Sequence, residues 1–277
     1  MRLARPLRTL KLRRAYQLLA LGLVAVTVGG YVAATAPSAR AVTGTEMSLG
    51  FDSCGLPSTS QMSTWWSASP YYWIGVYIGG SDQSCGNPGS SWVSTVTTAG
   101  WGVEPIWVGP QNPCWGGSGA TFSTNTSTAY SQGETQASDA IGALATAGFA
   151  PLAGNWNDSV VYDMEAYSQT STCIAAAQAF ISGWSAQLGI PPVQAVGVYG
   201  STCGSDLNAF ASSSPVPYFI WGADWDGNSN VSVMTCVTPG WWGGPQRLKQ
   251  YSGNVNQTYG GVTLYIDADG ADAPVYF

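Results

Sequence analysis

The sequence contains no histidine. That excludes Ser-His-Asp and Cys-His catalysis and every metal site that needs imidazole. Positive charge is scarce. Seven of the nine Lys and Arg residues lie in the first 40 positions, and beyond them only Arg247 and Lys249 face all 15 acids. A chain body this acidic has no basic patch for phosphate backbones or anionic lipid, so neither nucleic acid nor a membrane surface is an expected partner. No C-x-x-C pair or other metal spacing occurs, and no glycine-rich phosphate loop follows the first strand-like run. No metal and no cofactor are expected.

What is present begins with a leader. Residues 1–14 carry six cations and no acid, an apolar run spans about 18–28, and "APSARA" ends at Ala41. A basic region, a short apolar core and small residues at an A-x-A site read as a secretory signal peptide over 1–41, cleaved after Ala41. The apolar run is short for a span of about 20 residues, and Gly29 and Gly30 break it. Arg13-Arg14 partly fits a twin-arginine export signal, so either export route is open. The expected mature protein, 42–277, is one domain, secreted, without a membrane anchor, and a monomer. Cys54, Cys85, Cys114, Cys173, Cys203 and Cys236 all lie in it. An even count in an exported chain reads as three disulfides, with the pairing open.

Strand-like runs alternate with helical patterns. The runs are 47–52, 72–78, 102–109, a weak 150–154, 159–165, 195–200, 218–224, 247–252 and 263–269. Helical material lies in "STSQMSTWWSA", "SSWVSTVTTAG", "GETQASDAIGALATAGF", "TCIAAAQAFISGWSAQLG" and the shorter "GSDLNAFAS". The Ser-, Thr- and Gly-rich stretch 116–133 reads as a loop. The order predicts an α/β fold, a single (β/α)8 barrel with a parallel sheet, with an open doubly wound sheet as alternative. Each cysteine then falls just beyond one of the first six strands, so the disulfides would staple loops of the C-terminal face.

The acids also collect at strand ends. Asp52 closes the first strand, Asp163 and Glu165 the fourth, Asp224 and Asp226 the sixth, and Asp267 and Asp269 the eighth. That rim is where barrels of this kind do chemistry. In "VVYDMEAY", period two puts Asp163 and Glu165 on one face, with Tyr162 and Met164 on the other. Two like charges side by side need a use, and paired carboxylates serve acid/base work on glycosidic bonds. Asp82, Asp206, Asp226, Asp269 and Asp272 read as solvated. Glu104, early in its strand, reads as lying at the opposite end of the barrel. Tyr77, Trp107, Trp115, Trp221, Trp225, Trp241 and Trp242 lie at or beyond strand ends, where amphipathic rings suit stacking on sugars. Trp65, Trp66 and Trp184 sit in helix patterns and read as filling between barrel and helices.

Taken in order, "LGFDSCGLPS", "GVYIGG", "GVEPIWVGPQ", "VVYDMEAY", "GVYGS", "YFIWGADWDG", "LKQYSG" and "LYIDADGAD" resemble a glycoside-hydrolase-like barrel family long catalogued as a domain of unknown function. That family is similar in turn to the family 25 glycoside hydrolases, lysozyme-like muramidases that cleave peptidoglycan. The resemblance covers about 47–277. It implies correspondence of Asp52 with the first-strand acid, and of Asp163 and Glu165 with the D-x-E of the fourth. It implies likewise the aromatic sixth strand around Trp221, Asp224 and Trp225, Gln250-Tyr251 on the seventh, and Asp267 on the eighth. The added cysteines and "ADWDG" depart from the muramidase pattern.

The implied chemistry has Glu165 as general acid and Asp163 ionised beside it, with Asp52 and Asp267 orienting groups or a water. Asp224, Trp225, Trp221, Gln250, Tyr251, Trp107 and Tyr77 would hold an extracellular glycan. Retaining and inverting outcomes are both open. The competing class is a non-catalytic wall-glycan-binding module on the same barrel, and behind it a disulfide-braced structural wall protein.

Overall fold

The structure is a computed structural model that describes residues 48–149, 158–188, 193–204, 207–243, 245–273 and 275. The expected signal peptide, the weak run at 150–154 and Asp206 lie outside the described residues. Eight strands close into a barrel in chain order. They are β1 (Ser48–Asp52), β2 (Trp73–Gly79), β3 (Gly102–Trp107), β4 (Asp158–Asp163), β5 (Val193–Ser201), β6 (Phe219–Ala223), β7 (Arg247–Tyr259) and β8 (Val262–Asp272). β1 to β7 pair in parallel.

The closed eight-strand barrel is as expected, but the sheet is not parallel throughout. β8 runs antiparallel to both β7 and β1. Gly260 and Gly261, at φ 58° and 80°, turn the chain straight from β7 into β8. Glycine tolerates that left-handed backbone, so a tight hairpin replaces a helical crossover. The hairpin folds onto the first helix: Trp65 Nε1 donates to Val262 O at 3.0 Å, and the Trp65 and Tyr259 rings meet edge-on at 5.1 Å.

Four helices and a 3-10 turn follow the first five strands: α1 (Thr59–Ala68), α2 (Ser90–Thr98), α3 (Thr126–Ala147), α4 (Ser171–Leu188) and Leu207–Ser212. α1 opens with a capping box, in which Ser58 N donates to Gln61 Oε1 at 2.8 Å and Gln61 N to Ser58 Oγ at 3.3 Å. α3 starts at Thr126, inside the stretch expected to be a loop. Asn125 caps it, accepting from Thr128 N at 3.0 Å. Ala129, Gly133 and Ala137, spaced four apart, then form a buried stripe. A Cβ on Gly133 would stand 2.0 Å from Phe180 O, and one on Gly183 2.0 Å from Tyr130 O. Small residues let α3 and α4 touch backbone to backbone, and that packing overrides the poor helix propensity of the Ser/Thr run.

Period-two alternation sorts the strands into two cores. One parity fills the barrel lumen with Trp73, Ile106, Val161, Phe219, Trp221 and Leu248. The other packs against the helices through Phe51, Val76, Tyr162 and Ile220, where Trp65 and Trp184 are buried as expected. The parity also disposes of the cations. Arg247 and Lys249 face outward from β7 but are buried under residues 224–243. Lys249 Nζ donates to Asp226 Oδ2 and Val233 O, both at 2.8 Å, and lies 3.4 Å from Asp224 Oδ2. Arg247 Nε donates to Trp242 O at 3.0 Å. Asp226 is exposed, as expected, and is also an ion-pair partner of Lys249.

Three disulfides join successive segments of the rim: Cys54–Cys85, Cys114–Cys173, in which Cys173 sits in the first turn of α4, and Cys203–Cys236. The pairing follows the expectation that bridges staple neighbouring loops on the C-terminal face.

Lys249→Ala tests the outer clamp. Lys249 is buried while Asp224 and Asp226 reach solvent, so the expected loss is that of hydrogen bonds to a charged group, about 1.5–3 kcal/mol by denaturant unfolding. A loss within the range of an exposed surface pair, about 0–1 kcal/mol, contradicts the clamp.

Candidate active site

The lumen parity that fills the barrel with apolar rings changes character at the carboxyl ends of the strands. Asp52 ends β1 and Asp163 ends β4. Gln250 follows Leu248 on β7, and Asp267 lies opposite Asp52 in the β1–β8 register. Together with Glu165 they line a cavity of about 230 Å³. Tyr77, Tyr199, Trp221, Trp225 and Ile106 complete its wall.

Gln250 ties the floor together. Its Nε2 donates to Asp52 Oδ2 at 2.7 Å and lies 3.4 Å from Asp267 Oδ2. Its Oε1 accepts from Tyr199 OH at 3.1 Å and from Trp225 Nε1 at 2.8 Å. Tyr77 OH donates to Asp52 Oδ1 at 3.2 Å. The backbone N–H of Asn254 donates to Asp267 Oδ1.

No cation reaches this cluster among the described residues, since Arg247 and Lys249 are engaged outside the barrel. Burial therefore raises the proton affinity of every acid in the cavity wall, and repulsion between carboxylates adds to it at Asp52 and Asp163. Asp52 is pushed up to about 7 by burial first and by Asp267 next, against the hydrogen bonds from Gln250 and Tyr77. Burial, then Glu165 and Asp52, holds Asp163 well above the carboxylate range. Burial raises Glu165, and it raises Asp267 against the Asn254 N–H.

This ordering corrects one expectation. Asp163 was to stay ionised beside a protonated Glu165. Asp163 is only 7% exposed, and its Oδ1 has no hydrogen-bond partner among the described residues. Glu165 is the more open of the two. The deeper carboxyl loses more hydration and holds its proton more firmly.

Asp269 is the second correction. Expected in solvent, it is fully buried below the cavity, with Oδ1 accepting from Trp221 Nε1 at 3.0 Å. No partner faces its other oxygen, and burial, with the Asp52 carboxylate next, holds Asp269 well above the carboxylate range. Asp82 is half-buried and accepts from Ala120 N at 2.9 Å, so it too differs from a free surface acid.

Of the residues expected at the site, Asp52, Tyr77, Asp163, Glu165, Trp221, Trp225, Gln250 and Asp267 come together. Asp224, Trp107 and Tyr251 do not. Asp224 turns outward to accept from Thr235 N at 2.7 Å. Trp107 faces the helices and donates to Gln136 Oε1 at 2.9 Å. Tyr251 packs against the helix-side core. Trp115, Trp241 and Trp242 also lie outside the cavity wall, and Trp242 is buried with Nε1 on Pro217 O at 2.9 Å. Glu104 is buried in the lumen, away from the cavity wall, held by Ser159 Oγ at 2.6 Å. Tyr199, Ile106 and Asp269 were missed, although each has the parity of a lumen residue. No group of three or more acids or cysteines among the described residues is placed to hold a metal ion.

Residues 63–271 match the family described as the Rv2525c-like, glycoside hydrolase-like domain. The chain belongs to this family. Solved barrels share the fold of this glycoside hydrolase-like domain at low identity. An uncharacterized B. stearothermophilus protein gives a TM-score of 0.55 at 15% identity, over 81% of this chain and 95% of that one. The modular autolysin LytC from Streptococcus pneumoniae, solved with a synthetic peptidoglycan ligand, gives 0.51 at 11% identity, over 84% of this chain and 47% of that one. A lysozyme from Streptomyces coelicolor gives 0.47 at 20% identity, over 82% of this chain and 92% of that one. No curated protein matches the sequence.

The raised acids make a stability prediction for this glycoside hydrolase-like domain. Asp52 titrates near 7 when folded and near an ordinary value of about 3.9 when unfolded. Between those values the folded state binds more protons, so Asp52's contribution is complete below about pH 4 and is lost as pH rises through about 7. The melting temperature should fall from pH 5 to pH 8, and Asp52→Asn should flatten the fall. A melting temperature that rises over that interval contradicts the assignment.

Proposed function

We propose that this chain is an exported glycoside hydrolase that cleaves a cell-wall-type glycan, with Glu165 as general acid. The observation that carries the reading is a cation-free carboxylate cluster with raised proton affinity, open to a cavity at the barrel rim. Glu165 stands at the accessible side with a proton to give. That proton passes to the glycosidic oxygen as the bond to the anomeric carbon breaks. The positive charge left on the sugar is met by the carboxyl oxygens of Asp163, Asp52 and Asp267 that line the cavity. Water then adds its hydroxyl to the anomeric carbon and returns a proton to Glu165.

Trp225 supplies a platform at the edge of the cavity. It is 56% exposed, while its indole N–H is fixed on Gln250 Oε1. A pinned ring with a free face suits stacking on a sugar. Peptidoglycan is the first glycan to test, because modular LytC, 47% of which matches this chain, was solved with a synthetic peptidoglycan ligand. Three disulfides support an oxidising, extracellular location, and no helix among the described residues is long and apolar enough to cross a membrane.

The same Trp225 platform also suits a module that binds glycan without turning it over. Glu165→Gln separates the two. It keeps shape and hydrogen-bonding reach but delivers no proton, so reducing-sugar release from purified wall should drop about 10²–10⁴-fold with affinity nearly unchanged. A binding module shows no release from the wild type, and Trp225→Ala then weakens binding more than Glu165→Gln does. Release that survives Glu165→Gln undiminished rules out the role given to Glu165.

A further inference from the structure

Asp163 is the last residue of β4, so strand pairing alone does not aim Glu165. On the β5 side the ladder ends with Met164 N donating to Tyr199 O at 3.2 Å. On the β3 side it ends earlier, at Trp107 and Tyr162. Beyond that point one side chain takes over. Gln111, 1% exposed in the loop after β3, donates from Nε2 to Asp163 O at 2.9 Å and accepts at Oε1 from Glu165 N at 2.8 Å. Those are the two bonds that a parallel neighbouring strand would make around Met164. The amide therefore stands in for one more residue of β3. It keeps Met164 buried on the helix side and turns both acids toward the cavity.

Gln111 is itself held firmly. Its backbone N–H donates to Ala120 O at 2.8 Å, and its carbonyl accepts from Phe122 N at 3.0 Å. A third bond, Nε2 to Gly109 O at 3.1 Å, fixes the amide orientation. The loop is fastened to the segment after β4 by the Cys114–Cys173 disulfide, a Trp115–Tyr167 bridge and Ser168 N on Cys114 O at 3.1 Å.

The geometry points to Gln111 as a positioning residue that carries the alternation of β4 past its end and so sets the relative aim of Asp163 and Glu165. This rests on reading those two as the working acids. Its test does not depend on turnover alone. Gln111→Met keeps the volume and removes all three hydrogen bonds. Gln111→Glu can still accept from Glu165 N, and it can donate to Asp163 O only when its introduced carboxyl is protonated.

In the full-length oxidised protein, Gln111→Met should speed hydrogen exchange at the Glu165 amide. It should lower kcat by about 10²-fold, the cost of a misplacement near 1 Å, with KM changed less than about twofold. Gln111→Glu should keep exchange protection at the Glu165 amide and recover kcat as pH falls, giving an acid-side gain that the wild type lacks. A folded Gln111→Met with wild-type exchange at Glu165 and unchanged kcat overturns the role. If Gln111→Met does not fold, a Gln111→Glu pH profile that parallels the wild type overturns it. If the wild type turns over no glycan, faster Glu165 exchange in Gln111→Met still supports the positioning, and the failure falls on the hydrolase reading alone.

Discussion

Four carboxylates share the wall of one small cavity, and a fifth lies beneath it, without a cation among the described residues to balance them. Such a group can be buried only if it holds protons or is met by donors. The barrel supplies both. Gln250, Tyr77, Tyr199 and Trp221 offer four side chains as donors or bridges, and the acids keep protons where donors run out. The two cations that could neutralise the cluster are spent on the outer wall, where Lys249 and Arg247 pin the excursion after β6. The protein thus stores proton affinity in its site and places charge compensation elsewhere.

The scaffold tolerates this because its stability comes from other parts. Two apolar cores, one in the lumen and one under the helices, surround the polar layer at the rim. The three disulfides lie above that layer and constrain the loops that frame the cavity. Crowding acids at a rim costs stability in the folded state and is characteristic of sites shaped for chemistry.

Much of this was legible in the residues. Eight of the strand-like runs fell in place, because β-branched and aromatic runs bounded by Gly, Ser and Pro report buried strands directly. Alternation placed Asp163 and Glu165 together, and it would have done more if carried along every strand. Tyr251 beside Gln250, and Trp107 beside Ile106, have the parity of the helix side, whereas Tyr199 and Asp269 have that of the lumen. What alternation cannot report is tertiary. The direction of β8 depends on a two-glycine turn, and the start of α3 depends on close packing against Gly183. The order of proton affinities depends on depth, which places Asp163 below Glu165. Gln111 leaves no trace in any period, because it acts as a side chain imitating a strand.

The central claim is that the carboxyls of the cluster hold their protons to higher pH than ordinary carboxylates do. Carbon NMR titration of the side-chain carboxyls in the oxidised protein measures this directly. The account predicts that Asp52 titrates near pH 7, with Asp163 and Asp269 protonated to higher pH than an ordinary carboxylate. Titration of all five carboxyls at the ordinary value of about 4 would contradict it, and with it the proposed source of the proton for Glu165.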